Sequence, residues 1–248
     1  MEQVKLADAD ELALLEAEYE GDPRQGLARA FAAAHRRLER DKEERARVER
    51  LYEIQLTAGE GAVVIGVDEV GRGSLAGPLT VAAVVLPPSP FVMGLNDSKK
   101  LTPARREEVA LDIERHAVAI GIAHIEPRRI DAIGMSASLR EAMSQAIEAT
   151  DVEPDLVLID GNPVHVHPKE KCIVKGDAKV ASIAAASIVA KVTRDRIMVE
   201  ADARYPGYGF ADSKGYGSSE HIAAIKERGL TDFHRRSFCM NFMQETLF

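Results

Sequence analysis

The pattern of apolar and charged positions divides the chain into two parts. In residues 1–60, apolar positions recur at mixed three- and four-residue spacing among many charges, which predicts helices over 8–20 and 27–56. Beyond residue 60, short valine-rich runs alternate with longer amphipathic segments. We therefore predict a helical N-terminal extension over 1–60 and a second domain over 61–248.

The second domain contains five short apolar runs with the length and composition of β-strands. They lie at 62–67, 79–86, 118–125 and 155–160, with a short hairpin and a fifth strand within 165–177. Helical periodicity is found at 103–116, 136–150 and 180–205, and the rest of the C-terminal part is predicted as loop and short helix. Three sequential strands followed by strands that alternate with helices predict an α/β fold, with helices on both faces of a mixed sheet.

Composition narrows the class of protein. Hydrophobic residues make up 46% and charged residues 29% of the chain, as in ordinary globular proteins, and no apolar run approaches the roughly 20 residues of a membrane span. The net charge of −8 argues against indiscriminate coating of nucleic acid, although a local basic groove remains compatible with it. Two cysteines without metal-ligand spacing, and an N-terminus without a signal pattern, predict a cytoplasmic protein. We take a monomer as the default.

The segment GVDEVGRGSLAGP, residues 66–78, places two carboxylates side by side. Neighbouring side chains of a regular strand point to opposite faces, so Asp68 and Glu69 are expected to converge only if the strand ends or bulges between them. Two close carboxylates raise each other's pKa unless a cation lies between them. Taken alone, the pair is also compatible with a solvated strand end.

Two further acids follow later predicted strands. Asp160 ends the strand at 155–160, and Asp177 follows the fifth strand. Singly, Asp160 could form a turn and Asp177 could cap a helix. Together with Asp68 and Glu69, they place four acids at three strand ends, which predicts a site for Mg²⁺ or Mn²⁺. Two such ions can activate a water and stabilise the leaving oxygen of a phosphodiester.

The glycine-rich turn has an alternative interpretation, because GRGSLA at 71–76 matches a dinucleotide-binding fingerprint. Three features argue against it: Pro78 and a second strand follow where a helix would be needed, the adjacent carboxylates would repel a pyrophosphate, and no P-loop pattern is present. Backbone N–H groups at Gly71 and Gly73 could instead approach a nucleic-acid backbone or a 2′-hydroxyl closely.

Several motifs in chain order resemble those of the ribonuclease HII family, bacterial enzymes that cut DNA duplexes at embedded ribonucleotides. They are DEVGRG, LAGP, DSKKL, LVLIDG, KGD, ASIAAASIVAKVTRD, YPGYGF and SKGYGS, between about Gly61 and Phe238. The resemblance implies a ribonuclease H-like fold: a five-stranded mixed sheet with its first three strands antiparallel, flanked by helices, and a C-terminal helical segment.

The resemblance also implies roles for individual residues. The metal ligands would be Asp68, Glu69, Asp160 and Asp177. Gly71, Arg72 and Gly73 would hold the junction between a ribonucleotide and the next deoxynucleotide, with Tyr216 packing on the sugar, and phosphates would meet Lys99, Ser187 and Lys191. Two positions depart from the family pattern, Ser74 where proline is usual and Ser213 where histidine is usual. They concern the positioning of the loop and the tyrosine rather than the metal ligands.

Judged singly, several of these residues have plainer interpretations. Arg72 could equally pack against its own loop, Tyr216 could be a turn aromatic, and Lys191 could be a solvated helix lysine. His165 and His167 would share one strand face without a third ligand, which indicates a hairpin surface. The run of His234, Arg235 and Arg236 is interpreted as a solvated basic segment, with phosphate contact as the alternative.

The predicted function is a metal-dependent endonuclease acting on RNA–DNA hybrids and on DNA duplexes that contain ribonucleotides. Only RNA carries a 2′-hydroxyl for recognition. Because the metal site would activate water rather than that hydroxyl, the products should carry 3′-hydroxyl and 5′-phosphate ends. The alternatives are a non-catalytic hybrid-binding module and a phosphoryl-transfer enzyme with an aspartyl nucleophile. The N-terminal extension could be a solvated helical hairpin, or an auxiliary contact through Arg36, Arg37 and Arg40.

Overall fold

The computed structural model describes residues 1–58 and 61–243, and the chain divides into two compact units, Met1–Glu49 and Arg50–Phe248. The sequence places the boundary near residue 60, whereas the structure divides the chain after Glu49. The difference arises because the last turns of one long helix pack within the second unit. In that part, the Tyr52 hydroxyl accepts a hydrogen bond from the Val92 N–H at 3.0 Å, and Gln55 Oε1 accepts one from the Ser182 N–H at 3.2 Å.

The N-terminal unit is helical, as the sequence predicts. It consists of α1 (Glu2–Leu6), α2 (Ala9–Glu18) and the first part of α3 (Gln25–Thr57). Asp8 caps α2 in a capping box with Glu11, which satisfies N–H groups at the start of that helix. A small apolar cluster holds the unit together: Val4, Ala7, Leu12, Leu27, Ala30 and Ala34 are all buried. Within the described residues, no helix is both long and apolar enough to cross a bilayer.

The second unit is built on a five-stranded sheet. Its strands are β1 (Val64–Val70), β2 (Leu79–Val85), β3 (Ala119–Ile125), β4 (Leu156–Asp160) and β5 (Glu170–Ile173). They lie in the order β3-β2-β1-β4-β5, in which β2 is antiparallel to β1 and β3, and β4 is parallel to β1 and β5. The predicted mixed sheet with its first three strands antiparallel is confirmed.

Helices cover both faces of the sheet, as predicted. The helix α6 (Met135–Glu148) packs on one face and α7 (Ala181–Arg204) on the other. The other helices that follow β2 are α4 (Pro103–His116), α5 (Pro127–Ile133), α8 (Phe210–Ser213), α9 (Ser219–Arg228) and α10 (Arg236–Met243). The apolar α7 packs so closely on β1 that a Cβ at Gly66 would lie 2.2 Å from the carbonyl carbon of Ser182. On the other face, a Cβ at Gly121 of β3 would lie 2.0 Å from the Ala146 carbonyl oxygen of α6.

The predicted hairpin before the fifth strand is wrong. No strand precedes β5 between residues 161 and 169, and β5 pairs in parallel with β4. The reason is the Glu170 carboxylate, which accepts hydrogen bonds from the N–H groups of Val164, His165 and Val166 at 2.8 to 3.1 Å. These groups bind a side chain instead of a neighbouring strand. His165 also has a φ of 61°, so His165 and His167 do not lie on one strand face.

Candidate active site

Two predicted metal ligands are brought together by the pairing of β1 with β4. The parallel register runs to Val67 and Ile159, and the next residue of each strand is an aspartate, Asp68 or Asp160. Carboxyl ends of parallel strands meet at one edge of a sheet. The sequence therefore placed these two acids correctly, because both follow a buried strand core and the strands are neighbours.

Contrary to the expectation from the sequence, Asp68 and Glu69 are not brought together by a strand end or a bulge. β1 keeps a regular antiparallel register with β2 through Val70, so the strand neither ends nor bulges between the two acids. Their side chains therefore leave opposite faces of β1. Asp68 lies on the same face as Gly66, toward α7, where the Ser187 hydroxyl donates a hydrogen bond to it.

The environment of Asp68 disfavours a lone negative charge. This carboxyl is 7% exposed, and its burial raises its pKa well above the ordinary value. The negative charges of Glu69 and Asp160 raise it further, whereas the hydrogen bonds from Ser187 and from the Glu69 N–H at 2.7 Å lower it. A buried carboxyl with two acidic neighbours is the setting in which a bound cation has the largest effect.

The other acids share this repulsion. Burial raises the pKa of Glu69 and that of Asp177, and the charge of Asp160 raises both further. The side chain of Asp160 is fixed by the Gly176 N–H, which donates to its Oδ1 at 2.7 Å. Asp177 itself lies in the 3₁₀ turn Gly176–Ala178 and does not cap α7, whose N-cap residue is Val180.

Sequence reasoning missed one acid of this group, Asp97. Its charge raises the pKa of Asp177, so the DSKKL segment approaches the same site. The adjacent Lys99 has the opposite effect, since its ammonium lowers the pKa of both Asp177 and Glu69. The sequence signal that could have identified Asp97 is its position directly before SKK.

The donor set suits a hard divalent cation. All of these groups are carboxylates, and burial together with neighbouring negative charge raises the pKa of Asp68, Glu69 and Asp177. Within the described ranges, no group of three or more His, Cys, Asp or Glu side chains is arranged as a metal cage. Mg²⁺ usually keeps several waters and is bound through one or two carboxylates plus substrate phosphates, so pairs of these acids fit it.

The glycine turn, residues 71–78, lies directly after β1, next to the acids. Gly71 has a φ of +86°, and a Cβ there would lie 2.3 Å from Arg194 Nε, so both conformation and space require glycine. Arg72 and Gly73 are exposed, and their N–H groups have no hydrogen-bond acceptor in the described part of the chain. Arg72 Nη1 lies 3.7 Å from Glu69 Oε1, which ties this arginine loosely to the acid pair.

Tyr216 lies beside this turn. The Leu75 and Ala76 N–H groups both donate to the Gly215 carbonyl, at 2.8 and 3.2 Å, so the two segments are joined through their backbones. Tyr216 is 38% exposed, and the Arg194 guanidinium carbon lies 5.5 Å from the centre of its ring. A partly exposed aromatic face is therefore held next to the glycine turn.

The three predicted phosphate contacts lie in different settings. Lys99 is exposed near the acids. Ser187 is buried and lies between Asp68 and Ser98, whose Oγ is 3.0 Å from Ser187 Oγ. Lys191 is largely buried, and its Nζ lies 2.6 Å from Asp195 Oδ1.

The basic run near the C-terminus is not the solvated segment that the sequence indicated. His234 and Arg235 are buried, and only Arg236 is exposed. His234 Nδ1 accepts a hydrogen bond from the Thr231 N–H, and its Nε2 lies 3.2 Å from Nε2 of the buried His221. Burial lowers the pKa of His234 to about 4, so this imidazole is neutral at physiological pH.

Comparisons with known proteins agree with this geometry. The sequence model of the Ribonuclease HII family matches residues 65–241. Ribonuclease HII of Geobacillus thermodenitrificans (strain NG80-2) is 47% identical over 88% of this chain and 85% of its own length. That of Moorella thermoacetica is 50% identical over 79% and 96%, respectively.

Solved structures show the same fold. The crystal structure of ribonuclease H2 from Pyrococcus horikoshii OT3 superposes with a TM-score of 0.63 at 26% identity, covering 74% of this chain and all of that one. Residues 65–241, which the family model matches, include the acids, the glycine turn and the Tyr216 segment. The chain therefore belongs to the ribonuclease HII family, whose members are endoribonucleases of the ribonuclease H type.

Proposed function

We propose that this enzyme hydrolyses the phosphodiester on the 5′ side of a ribonucleotide embedded in duplex DNA, and cleaves the RNA strand of RNA–DNA hybrids. The observation that carries the proposal is the meeting of the buried Asp68 with Asp160, which directly follow the last positions at which β1 pairs with β4. They lie beside a glycine turn in which the Arg72 and Gly73 N–H groups have no acceptor among the described residues. The first feature serves hydrolysis and the second serves recognition of the sugar. Their proximity lets a single nucleotide reach both.

Divalent cations, either Mg²⁺ or Mn²⁺ and two during the reaction, would be held by Asp68, Glu69, Asp160 and Asp177 and would supply an activated water and stabilise the leaving oxygen. The chain's own residues prepare that site. The Gly176 N–H fixes Asp160, and the Ser187 hydroxyl orients Asp68 from the α7 side. The Lys99 ammonium offsets part of the acidic charge that would otherwise repel a phosphate.

Recognition of the ribose is assigned to the glycine turn and Tyr216. The N–H groups of Arg72 and Gly73 are available to oxygen acceptors such as a 2′-hydroxyl or a phosphate. The face of Tyr216 is available to the sugar beside them, and Lys191 and Arg72 are assigned to neighbouring phosphates. Since water and not the 2′-hydroxyl is the nucleophile, the expected ends are a 3′-hydroxyl and a 5′-phosphate.

A duplex with one internal ribonucleotide tests this function. With Mg²⁺ or Mn²⁺, we expect one nick on the 5′ side of that nucleotide, and Asp68→Asn should lower the rate at least about a hundredfold. The control is Asp112→Asn, a half-exposed acid of α4 that pairs with Arg115, which should keep the wild-type rate. Full activity of the Asp68 variant would contradict the assignment.

The same assay separates the alternatives. A hybrid-binding module would bind the duplex without nicking it, and an aspartyl-nucleophile enzyme would leave a covalent phosphoenzyme. We expect neither result, because acids converge on this site from the ends of β1 and β4 and from the 3₁₀ turn. In a protein that only binds nucleic acid, clustered carboxylates would repel the phosphates without any catalytic benefit.

A further inference from the structure

Two arginines of the second unit are completely buried and form no ion pair with an acid among the described residues. Arg194 of α7 and Arg235, which precedes α10, have no exposed surface, and no carboxylate in residues 1–58 and 61–243 forms an ion pair with either. Arginine is almost never fully buried unless it is paired, because removing its charge from water is costly. Both side chains therefore need another explanation.

Their hydrogen bonds converge on the glycine turn. Arg194 donates from Nε to the Pro78 carbonyl at 2.9 Å and from Nη2 to the Ala76 carbonyl at 3.0 Å. Arg235 donates from Nε to the Gly77 carbonyl at 3.0 Å, and from Nη1 to the carbonyls of Gly71 and Arg72 at 2.6 and 3.2 Å. Five carbonyls between residues 71 and 78 thus point inward to two guanidinium groups.

Arg194 also connects this turn to the tyrosine segment. Its Nη1 donates to the Lys214 carbonyl at 2.8 Å, and its guanidinium lies over the Tyr216 ring at 5.5 Å. The planar fork of arginine allows one side chain to bind several acceptors at fixed angles, which a lysine ammonium cannot reproduce. The position of Tyr216 relative to Gly71 therefore depends on Arg194.

Ser74 adds a further link between the arginine and the turn. Its Oγ accepts from Arg194 Nη2 at 2.8 Å and donates to the Gly71 carbonyl at 3.0 Å. The proline that the family resemblance leads one to expect at this position has no hydroxyl to make either bond. The departure noted in the sequence thus joins the arginine to the glycine turn directly.

Stability alone does not account for these arginines. Arg235 Nη2 is buried without a hydrogen-bond partner in the described part of the chain, and such a group destabilises a fold. Both guanidinium groups add positive charge directly beneath a turn that faces a polyanion, where it favours phosphate. Burial of these guanidinium groups thus destabilises the fold, but their positive charge favours binding of a nucleic acid.

We propose that Arg194 and Arg235 are positioning residues for ribose recognition, which hold the turn 71–78 and Tyr216 in one fixed arrangement beside the acids. The inference rests on the proposed function and adds to it the groups that set its sugar selectivity. Neither arginine touches the substrate: each acts through the backbone of the turn, and Arg194 acts also through Tyr216.

The test compares Arg194→Lys and Arg235→Lys with the control Arg115→Lys, a surface arginine of α4 paired with Asp112. For each full-length protein, one measures KM and kcat for a duplex with one ribonucleotide, and Ki for the all-DNA duplex as a competitor. The ratio of Ki to KM reports sugar selectivity. Partial unfolding lowers the apparent kcat but leaves this ratio unchanged, so a merely structural role would not move it.

We expect both buried variants to lower the ratio at least about tenfold, since a small misplacement of a positioning group has effects of this size. The control should retain the wild-type ratio. If the lysine variants do not fold, Ser74→Ala removes only one acceptor of Arg194 and should lower the ratio about threefold. An unchanged ratio in folded variants would overturn this inference alone, whereas a wild-type enzyme without ribose preference would overturn the proposed function with it.

Discussion

At the scale of the residue, polar side chains around the active site bind main-chain groups more than each other. Asp160 binds the Gly176 N–H, and Arg194 and Arg235 bind backbone carbonyls of the glycine turn. Such bonds fix a loop without requiring a particular side chain in it. The shape of the glycine turn therefore depends on the side chains of Arg194 and Arg235.

Glu170 gives a stability prediction with a defined pH dependence. Burial opposes its ionisation, but the hydrogen bonds from Val166, His165 and Val164 are stronger and lower its pKa to about 2. Glu170→Gln should destabilise the protein by about 1 kcal/mol at pH 7, because the charge that these donors favour is lost. A denaturant titration with each protein measures the difference.

The sign of the pH dependence follows from the lowered pKa. The stabilisation by Glu170 is complete above the unfolded-state pKa, about 4.3, and is lost as the pH falls through the folded-state value near 2. The difference between wild type and Glu170→Gln should therefore shrink between pH 4.3 and 2. Glu153→Gln, an exposed acid paired with Lys169, serves as the control and should show almost no difference at any pH. A wild-type advantage that grows toward low pH would contradict the account.

At the residue scale, the sequence predicts the two central acids but not the two buried arginines. Asp68 and Asp160 could be predicted because each ends an apolar run and the runs are adjacent strands. The burial of Arg194 and Arg235 could not, because most of their acceptors are backbone carbonyls more than a hundred residues away in the chain. Every residue carries a backbone carbonyl, so the type of a residue does not reveal that its carbonyl accepts a hydrogen bond from a buried arginine.

At the scale of the element, the close contact between α7 and β1 positions the acids. Gly66 allows α7 to approach, and on the same face Asp68 then reaches Ser187 of that helix. The alternation of buried and exposed positions made the strands and most helices predictable. It gave no signal for the path of residues 161–169, where a single carboxylate replaces a strand partner.

Gly66→Ala tests this contact. Its Cβ would lie 2.2 Å from the backbone of Ser182, so α7 would have to shift, and we expect a loss of about 3 kcal/mol in unfolding free energy. The control is Gly73→Ala, where an added Cβ meets no atom within 4 Å and stability should change by less than about 0.5 kcal/mol. Equal stability of the two variants would show that α7 does not pack on β1 as described.

At the scale of the whole molecule, charge is distributed in a way that suits a nuclease with a net charge of −8. Acidic groups are concentrated at the proposed cation site, and two buried guanidinium groups donate to the carbonyls of the glycine turn. The N-terminal unit adds the exposed Arg36 and Arg40 on α3. We propose that this unit contributes to binding of the nucleic acid and not to the chemistry.

Charge reversal on α3 tests that role. Arg36→Glu with Arg40→Glu should weaken binding of a ribonucleotide-containing duplex about tenfold at low salt, because contacts to phosphate are lost, while kcat stays unchanged. The control Arg24→Glu alters an arginine already paired with Asp22 and should have a smaller effect. Unchanged affinity in the double variant would assign the N-terminal unit another role.

The most direct test of the account is a Mn²⁺ titration followed by the electron paramagnetic resonance signal of the free ion. The central claim is that acids at the ends of β1 and β4 hold divalent cations, so Asp160→Asn should lower Mn²⁺ affinity at least about tenfold relative to wild type. Asp112→Asn should leave the affinity unchanged. Wild-type Mn²⁺ affinity in folded Asp160→Asn would contradict the claim.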